Sequence, residues 1–181
     1  MIKKFKIVFI FVALLIFGYY EVAAQHSQSE SKLKAALLYK IPKYITWPNI
    51  TFPNQTDTFN IVIFGETDIY SHVRANFAHP LHTYCFANVT QISRLSALPQ
   101  NPHLVFVSDS EHDMLSKIIK LYTGKPVLIM SDHEESECSS AHINLYFNKD
   151  GYLHFSINRT SMNTSHLLPD IKLLSLAKII Y

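Results

Sequence analysis

Glycine is scarce in this chain, and its scarcity excludes several kinds of site. The sequence has 181 residues and four glycines, of which Gly18 lies in an apolar N-terminal segment. A loop that cradles phosphate needs several glycines so that backbone amides can approach the ligand. No G-x-G-x-x-G, G-x-x-x-x-G-K or G-x-S-x-G motif occurs. Nucleotide binding by such loops and α/β-hydrolase chemistry are therefore not predicted.

The sequence also lacks an apolar run long enough to span a membrane. The N-terminal run, residues 7–17, follows three lysines, and the small residues Val22, Ala23 and Ala24 offer a cleavage site. Its eleven residues would extend about 16 Å as a helix, roughly half of the hydrocarbon core of a bilayer. This arrangement is typical of a cleaved secretory signal. We expect residues 1–24 to be removed, leaving an exported periplasmic chain of residues 25–181.

A basic surface is absent once this segment is set aside. The segment holds three of the 16 basic residues and one of the 14 acidic residues, so residues 25–181 carry thirteen of each. Nucleic-acid affinity depends largely on lysine and arginine side chains that neutralise phosphates. Nucleic acid is therefore excluded as a partner.

Cysteine is limited to Cys85 and Cys138. An even count in a chain bound for an oxidising compartment favours a disulfide. A bridge requires Cα atoms within about 7 Å, and the spacing in the sequence does not show whether the two meet. The paired and the free states both stay open.

Apolar runs and helical patterns alternate in the middle of the chain. Strands are predicted at 59–65, 84–92, 103–108 and 126–130, and helices at 67–77 and 111–122. The second helix follows a capping-box pattern at Ser110–Asp113 and stops at Gly124. Apolar strand, helix, apolar strand is the order of a βαβ unit, whose parallel sheet is covered on both faces.

The two ends of the folded part differ from this middle. Residues 33–44 have one apolar helical face, and Pro42 should kink that helix or end its regular part. Residues 142–147 and 152–157 alternate around a turn sequence and predict an antiparallel hairpin. Residues 167–180 predict a closing helix. We therefore predict an α/β fold, a three-layer sandwich with a mostly parallel central sheet, an antiparallel C-terminal hairpin and flanking helices, in one domain over 25–181.

Ten histidines raise the question of a metal site. His79 and His82 stand three residues apart, but Pro80 between them makes the segment a loop. No His-Glu-x-x-His or Cys-x-x-Cys motif occurs, and such motifs are what a zinc site would show. Surface and strand-end positions account for the histidines. We predict no metal and no cofactor.

An acidic loop follows the strand at 126–130, where ligands bind in open α/β sheets. Asp132, His133, Ser131 and Ser136 in this loop could be drawn as a hydrolytic set. However, no strained nucleophile turn and no oxyanion donor can be named. A solvated loop is the favoured interpretation, so we predict no catalytic residues and no enzymatic activity.

Six segments together resemble the YfiR/HmsC-like family of exported bacterial proteins. They are KAALLYKIPKYITWP at 34–48, FNIVIFG at 59–65, HLVFVSDSE at 103–111, PVLIMSD at 126–132, HINLYFNKDGYLHFSIN at 142–158 and IKLLSLAKII at 171–180. Two departures matter. Pro102 stands where the family usually has cysteine, so a family disulfide through that position is absent. Ser139–His142 replaces a Gly-Gly, and a loop without glycine adopts positive φ less readily.

The resemblance implies a periplasmic, non-enzymatic regulator that acts by binding. Family members restrain a membrane-bound diguanylate cyclase through its periplasmic sensor domain, which lowers cyclic di-GMP and biofilm formation. The resemblance also implies an outer-membrane lipoprotein as a second partner, and homodimers occur in the family. Residues that bind a partner cannot be transferred from it one by one.

The aromatic residues of the 34–48 segment could be core or interface. Tyr39, Tyr44, Trp47 and Pro48 belong to the family motif. Large aromatic side chains in a short amphipathic helix usually face the core, whereas tyrosine and tryptophan also dominate interface energetics. Core packing is the favoured interpretation for Trp47 and the two tyrosines.

Three functions are kept open in order of preference. The first is a regulator that restrains a membrane-bound diguanylate cyclase or sensor kinase. The second is a periplasmic receptor for a small ligand, using the loops after Gly65, Ser108 and Met130 at the carboxyl edge of the sheet. The third is a hydrolase that uses Asp132 or His133 with a serine.

Overall fold

A computed structural model describes residues 27–48, 51, 58–77, 87–133 and 140–181. The helices are α1 (27–40), α2 (Ile69–Asn76), α3 (His112–Tyr122), α4 (Arg159–Thr164) and α5 (Ile171–Leu176). The strands are β1 (Ile45–Thr46), β2 (Phe59–Phe64), β3 (Ala87–Ile92), β4 (Leu104–Val107), β5 (Leu128–Ser131), β6 (Ile143–Phe147), β7 (Leu153–Ile157), β8 (Leu168–Pro169) and β9 (Ile179–Ile180). Within these ranges no helix combines the length and the apolar character that a membrane crossing requires.

Some predictions fall on residues outside these ranges. The expected signal segment 1–24 lies outside them, as do Cys85, Cys138 and Ser136. The pairing of the two cysteines therefore stays a prediction.

The predicted α/β architecture is confirmed. Seven strands form one sheet in the order β3-β2-β4-β5-β6-β7-β9. The pairs from β3 through β6 are parallel, and β6 and β7 form the antiparallel hairpin. A separate two-stranded ladder joins β1 to β8, with Ile45 opposite Pro169.

Both faces of this sheet are buried, which explains its nearly continuous apolar strands. Successive side chains of a strand point to opposite faces. In β2, Phe59, Ile61 and Ile63 join a core cluster with side chains of α1, α2, α4 and α5. Val62 and Phe64 join a second cluster with α3. Helix layers therefore lie on either side of the sheet.

The first helix extends further toward the N-terminus than the 33–44 pattern indicated. It covers 27–40 and gives way to a 3₁₀ turn at Ile41–Tyr44. Pro42 stands at the start of that turn, where its missing N–H costs no α-helical hydrogen bond. The expectation that Pro42 would end or kink the regular helix is therefore confirmed.

The prediction of a closing helix over 167–180 is wrong for most of that range. Leu168 and Pro169 form β8 instead, α5 covers only Ile171–Leu176, and Ile179–Ile180 pairs with β7. Pro169 cannot donate within a helix. Asp170 begins a new helix, because its Oδ1 accepts the Lys172 N–H at 2.7 Å.

The predicted capping box at Ser110–Asp113 is also wrong. Residues Asp109–Glu111 form a 3₁₀ turn, α3 begins at His112, and no side chain caps it. Ser110 Oγ instead lies 2.9 Å from Ser108 Oγ. The predicted stop at Gly124 agrees with the structure, since this residue follows α3 with a φ of +74°.

Candidate functional site

The carboxyl ends of β2, β4, β5 and β6 meet at one edge of the sheet because these strands are parallel. The chain leaves β2 through α2 on one face and leaves β4 through α3 on the other. The two connections diverge between β2 and β4, which makes this point the topological switch of the sheet. A crevice at such a point is where open α/β folds usually bind ligands.

This switch point is closed by packing in the present chain. Gly65 follows β2 with a φ of +101°, and a Cβ atom there would lie 2.2 Å from Ser108 Oγ and 2.7 Å from Glu111 Cγ. The Gln91 side chain donates to the Gly65 carbonyl at 2.9 Å. The loops after Gly65 and Ser108, which the receptor hypothesis expected to line a ligand site, instead contact one another.

A cavity of about 300 Å³ lies further along the same edge, after β5 and β6. It is bounded by α1, by the end of β5 and by the turn of the hairpin. Its lining residues are Glu30, Lys34, Asp132, Tyr146, Phe147, Asn148 and Lys149. Of the loops named in the receptor hypothesis, the one after β5 therefore reaches a cavity.

A partly buried ion pair forms one wall of this cavity. Lys34 Nζ lies 2.8 Å from Asp132 Oδ2, and the two side chains are only 16% and 7% exposed. The Lys34 ammonium also lies 5.7 Å from the centre of the Phe147 ring, within cation–π range. The pair fixes α1 against the carboxyl edge of the sheet.

The Asp132 carboxyl group is unusual in its electrostatics. Burial raises its pKa, while the charge and hydrogen bond of Lys34 oppose that rise. Asp132 Oδ1 has no hydrogen-bond partner among the described residues. The backbone N–H of Asp109 also lowers the pKa, and the negative charge of the Asp109 side chain raises it. Oδ1 therefore retains an acceptor that no described residue uses.

The neighbouring His133 is held by contacts at both its backbone and its ring. Its Nδ1 lies 2.7 Å from Asp109 Oδ1, and the His112 ring stacks on its ring with centroids 3.7 Å apart. The His133 N–H donates to Asn144 Oδ1 at 3.0 Å, and the Asn144 amide donates back to the His133 carbonyl at 3.1 Å. These contacts order the beginning of the acidic loop.

The described residues of the suggested hydrolytic set, Ser131, Asp132 and His133, do not contact one another through their side chains in a catalytic arrangement. Ser131 Oγ donates to Asn144 Oδ1 at 2.8 Å, whereas the His133 ring contacts Asp109. Asp132 pairs with Lys34.

Nucleophilic catalysis would need the serine and a histidine within hydrogen-bond reach. In the described part of the chain, no three histidine, cysteine or carboxylate side chains are arranged to hold a metal ion.

A family model described as YfiR/HmsC-like matches residues 31–178. This range runs from α1 to the residue before β9 and so includes the whole carboxyl edge of the sheet. The chain belongs to the YfiR/HmsC-like family. Members of this family are periplasmic regulators of cyclic di-GMP signalling and are not catalysts. No curated protein sequence matches the chain.

The motif tryptophan of this YfiR/HmsC-like chain is buried. Trp47 is 8% exposed and meets the Phe59 ring edge-on with centroids 5.6 Å apart. Its indole N–H donates to the Pro42 carbonyl at 3.3 Å. Trp47 therefore packs the segment after α1 against the first strand of the sheet.

The other motif residues are less buried than Trp47. Tyr39 is half-buried and meets Phe77 edge-on at 4.9 Å, and Pro48 is half-buried. Tyr44 is 41% exposed, so the expectation that it packs across the sheet is wrong. The 3₁₀ turn that follows α1 rotates Tyr44 away from the helical face on which it was counted.

Two histidines at the amino edge of the sheet occupy the strand-end positions that were predicted, but they are buried, which the sequence analysis did not predict. His103 Nδ1 accepts the Asn60 N–H at 2.8 Å, while the His103 N–H donates to the Asn60 carbonyl. His142 repeats this with Ile129: Nδ1 accepts the N–H at 3.0 Å, and the backbone N–H donates to the carbonyl. Each imidazole nitrogen thus supplies one additional hydrogen-bond acceptor where a pair of parallel strands begins. The sequence signal was a histidine directly before an apolar strand.

Burial has a consequence for the second of these histidines. Desolvation lowers the pKa of His142 to about 4. Its Nε2 lies 3.2 Å from Ser165 Oγ, so both ring nitrogens have a partner. An imidazole that accepts at Nδ1 has to be neutral there, and the lowered pKa maintains that state at neutral pH.

Proposed function

We propose that this chain is an exported, non-catalytic regulator that binds the periplasmic domain of a membrane-bound signalling protein and restrains it. The partner is a diguanylate cyclase or a sensor kinase, and restraint lowers cyclic di-GMP and biofilm formation. The observation that supports this proposal is membership of a regulatory family over residues 31–178. Export requires that residues 1–24 act as a cleaved signal.

The surface that best suits such a partner is formed by the C-terminal segment. Large apolar side chains are exposed there, in a run that ends the chain: Leu168, Ile171, Leu176, Ile180 and Tyr181. Tyr44 adds to them, because its carbonyl accepts the Asp170 N–H at 2.7 Å beside α5. Contiguous exposed apolar groups mark protein-interaction sites. The exposed Lys43 and Lys172 lie at this surface, so an acidic rim on the partner would complement it.

Affinity capture tests the proposal directly. Residues 25–181 with an N-terminal tag serve as bait for detergent-solubilised envelope, and mass spectrometry identifies what is retained. We expect an inner-membrane protein that has a periplasmic sensor segment and a cytoplasmic signalling domain. Ile171→Glu should abolish its recovery, because a carboxylate would be buried at the contact.

A matched variant controls for the added charge. Leu121→Glu places the same change on α3, where Leu121 is 49% exposed on the opposite helix layer. This variant should recover the partner like the wild type. Capture of no specific protein by a folded bait would remove the proposal. Equal recovery by the Ile171→Glu variant would instead remove the C-terminal surface as the contact.

A second candidate function is a small-ligand receptor that uses the cavity between α1 and the hairpin turn. The observation that favours it is the buried Asp132 carboxyl with an unused acceptor oxygen at the cavity wall. A ligand that binds only the native state raises its melting temperature. A metabolite screen by thermal shift should then give saturable stabilisation that Asp132→Asn removes. Stabilisation that survives this substitution would place the ligand elsewhere.

A further inference from the structure

The core layer between α1 and the sheet ends in polar groups at the carboxyl edge. Met130 of β5 and Leu145 of β6 belong to this core cluster. Because alternate side chains of a strand share a face, the same face continues to Asp132 directly beyond β5 and to Phe147 at the end of β6. Lys34 meets both from α1, with its ammonium 2.8 Å from Asp132 Oδ2 and 5.7 Å from the centre of the Phe147 ring. The cavity after β5 and β6 therefore lies where the apolar packing of this layer stops.

The walls of this cavity are held in place by other contacts. The buried side chains of Ala35 and Leu38 fix α1 to the core. On the opposite side, Asn148 Oδ1 accepts the N–H groups of Asp150 and Tyr152 at 3.1 Å and 2.8 Å, which stabilises the hairpin turn. Ligand pockets are usually largely formed before the ligand binds. A cavity between a packed helix and a stabilised turn meets this condition.

The inner wall offers a hydrogen-bond acceptor and hydrogen-bond donors side by side. Asp132 Oδ1 is an acceptor without a partner in the described part of the chain. The Lys34 ammonium has more N–H groups than the one directed at Asp132 Oδ2. A ligand that fits here has to donate to one group and accept from its neighbour. Two hydroxyl groups on adjacent carbon atoms meet this requirement, because each hydroxyl can donate and accept.

The charges around the cavity favour a neutral ligand. Glu30 and Asp132 are balanced by Lys34 and Lys149, so the lining has no net charge. Lys34 and Asp132 are already paired with each other, and their side chains are only 16% and 7% exposed. An ionised ligand group would be buried beside this pair without a counter-ion of its own, which is costly. Cations, anions and amino acids all carry this cost, whereas a neutral polyol does not.

The ring of Phe147 adds an apolar surface to this polar wall. It is half-buried and lines the cavity beside the ion pair. An aromatic face carries partial negative charge, and the C–H groups of a sugar ring carry partial positive charge, so the apolar face of a sugar packs well against such a ring. The cavity volume of about 300 Å³ is at the lower end of the range for ligand pockets. It suits one sugar ring.

We propose that this cavity binds a neutral monosaccharide, with two adjacent hydroxyl groups on Asp132 and Lys34 and the apolar face of the ring on Phe147. The proposal rests on the second candidate function, since it names the class of ligand that such a receptor takes. The ion pair stays intact in the complex, because the hydroxyl groups bind to Oδ1 and to N–H groups that the pair itself does not use. The sugar thus connects α1 with the hairpin.

Saturation-transfer NMR with individual sugars tests this ligand class. The full chain, expressed with its N-terminal segment and purified after export, is titrated with glucose, galactose, mannose and N-acetylglucosamine. The titration extends to about 100 mM, above the millimolar dissociation constants of weak ligands. Alanine and putrescine serve as the zwitterionic and the cationic comparison. We expect saturable transfer to the ring protons of at least one sugar and to neither comparison compound.

Two substitutions at the wall and one remote substitution locate the binding. In Asp132→Asn the Lys34 ammonium holds the amide oxygen, so an NH₂ group takes the place of the free acceptor. The dissociation constant should rise at least about tenfold, because a charge-assisted hydrogen bond is lost. Phe147→Leu keeps an apolar side chain but removes the aromatic face, and it should weaken binding several-fold. Asp113→Asn makes the first change at an exposed position of α3 and should bind like the wild type.

Each result bears on the proposal. Absence of transfer to all of the sugars overturns it, and so does sugar binding that Asp132→Asn and Phe147→Leu leave unchanged. If alanine or putrescine binds in a manner that depends on Asp132 and no sugar binds, the ligand class is wrong while the receptor function stands. If neither this panel nor the thermal-shift metabolite screen gives a ligand, both are wrong. Melting curves by circular dichroism establish that the variants are folded, and Phe147→Leu decides alone if Asp132→Asn is not.

Discussion

Single residues at the edges of the sheet replace contacts that the backbone would otherwise make. His103 and His142 accept a strand N–H through a ring nitrogen, and Lys34 neutralises a carboxylate that burial disfavours. The His142 contact requires a ring that is neutral at Nδ1, and the Lys34 contact requires an ionised Asp132 carboxylate. Their energetics can therefore be tested by combining substitution with a change of pH.

Acidification should destabilise the fold through His142. Its pKa is about 4 in the native state against an ordinary value of 6.5, so the unfolded chain binds the proton first. The stability that depends on the neutral ring is complete above pH 6.5 and is lost as the pH falls toward about 4. The loss amounts to about 3 kcal/mol. Urea unfolding across this range should show it.

His142→Asn is the control for that titration. An asparagine carbonyl oxygen can accept the Ile129 N–H in place of Nδ1 but does not titrate. The free energy of unfolding of this variant should vary less between pH 6.5 and about 4 than that of the wild type. An identical pH dependence in both proteins would show that other groups cause the acid sensitivity.

Removing the ammonium of Lys34 should cost more than removing both charges. Lys34→Met leaves the Asp132 carboxylate buried without its cation, a change that costs on the order of 3 kcal/mol. Adding Asp132→Asn should restore part of that loss, because the remaining group is neutral. Urea denaturation at neutral pH measures both. If the double variant is no more stable than Lys34→Met, the pair does not act through its charges.

Among the elements, the turn after β2 is the most tightly constrained. Gly65 combines positive φ with direct contact to Ser108 and Glu111, whereas Gly151 in the hairpin turn has positive φ and open space around it. Gly65→Ala should cost on the order of 3 kcal/mol, from backbone strain and overpacking together. Gly151→Ala carries the strain alone and should cost about 1 kcal/mol. Equal losses, measured by urea unfolding, would contradict the close packing at the switch point.

The sequence predicted the central elements well because their signals are local. Apolar runs bounded by turn residues identify β2, β4 and β5, and alternation around Asn148–Gly151 identifies the hairpin. The C-terminal segment was different, since Leu168 pairs with Thr46, a contact far apart in the sequence. The apolar pattern of this segment suggested one helix, but the pairing with Thr46 places its first part in a strand. The short α4 was missed because its cap, Asn158 Oδ1 accepting the Ser161 N–H at 2.8 Å, is a single residue.

The site could be predicted only in part, for a related reason. The carboxyl edge was identified from strand order, and Asp132 and His133 were identified as its polar residues. Lys34 was not connected with them, because it precedes Asp132 by 98 positions and lies on a different element. Burial and pairing of charges depend on how α1 crosses the sheet, and no local pattern specifies that crossing.

At the scale of the whole molecule, the two core clusters share the strands of one sheet. Side chains of β2, β4 and β5 enter both clusters, so loss of one helix layer exposes strands that the other layer also needs. Residues 25–181 should therefore unfold in a single urea transition. Fluorescence of Trp47, the only tryptophan, and far-UV circular dichroism should give the same midpoint. Two separated midpoints would show that the layers unfold independently and would contradict a single domain.

The short ladder between β1 and β8 has a consequence for the timing of folding. Ile45 and Thr46 pair with residues 168 and 169, and the Tyr44 carbonyl accepts the Asp170 N–H. A chain that emerges from a ribosome or a translocation channel presents its first helix long before these partners. Until residues 168–170 have been released, the apolar side of that helix lacks part of the surface against which it packs. A holding chaperone that releases the chain late would suit this order of events. Removal of residues 168–181 takes away the partners of Tyr44, Ile45 and Thr46 and should leave the first helix undocked.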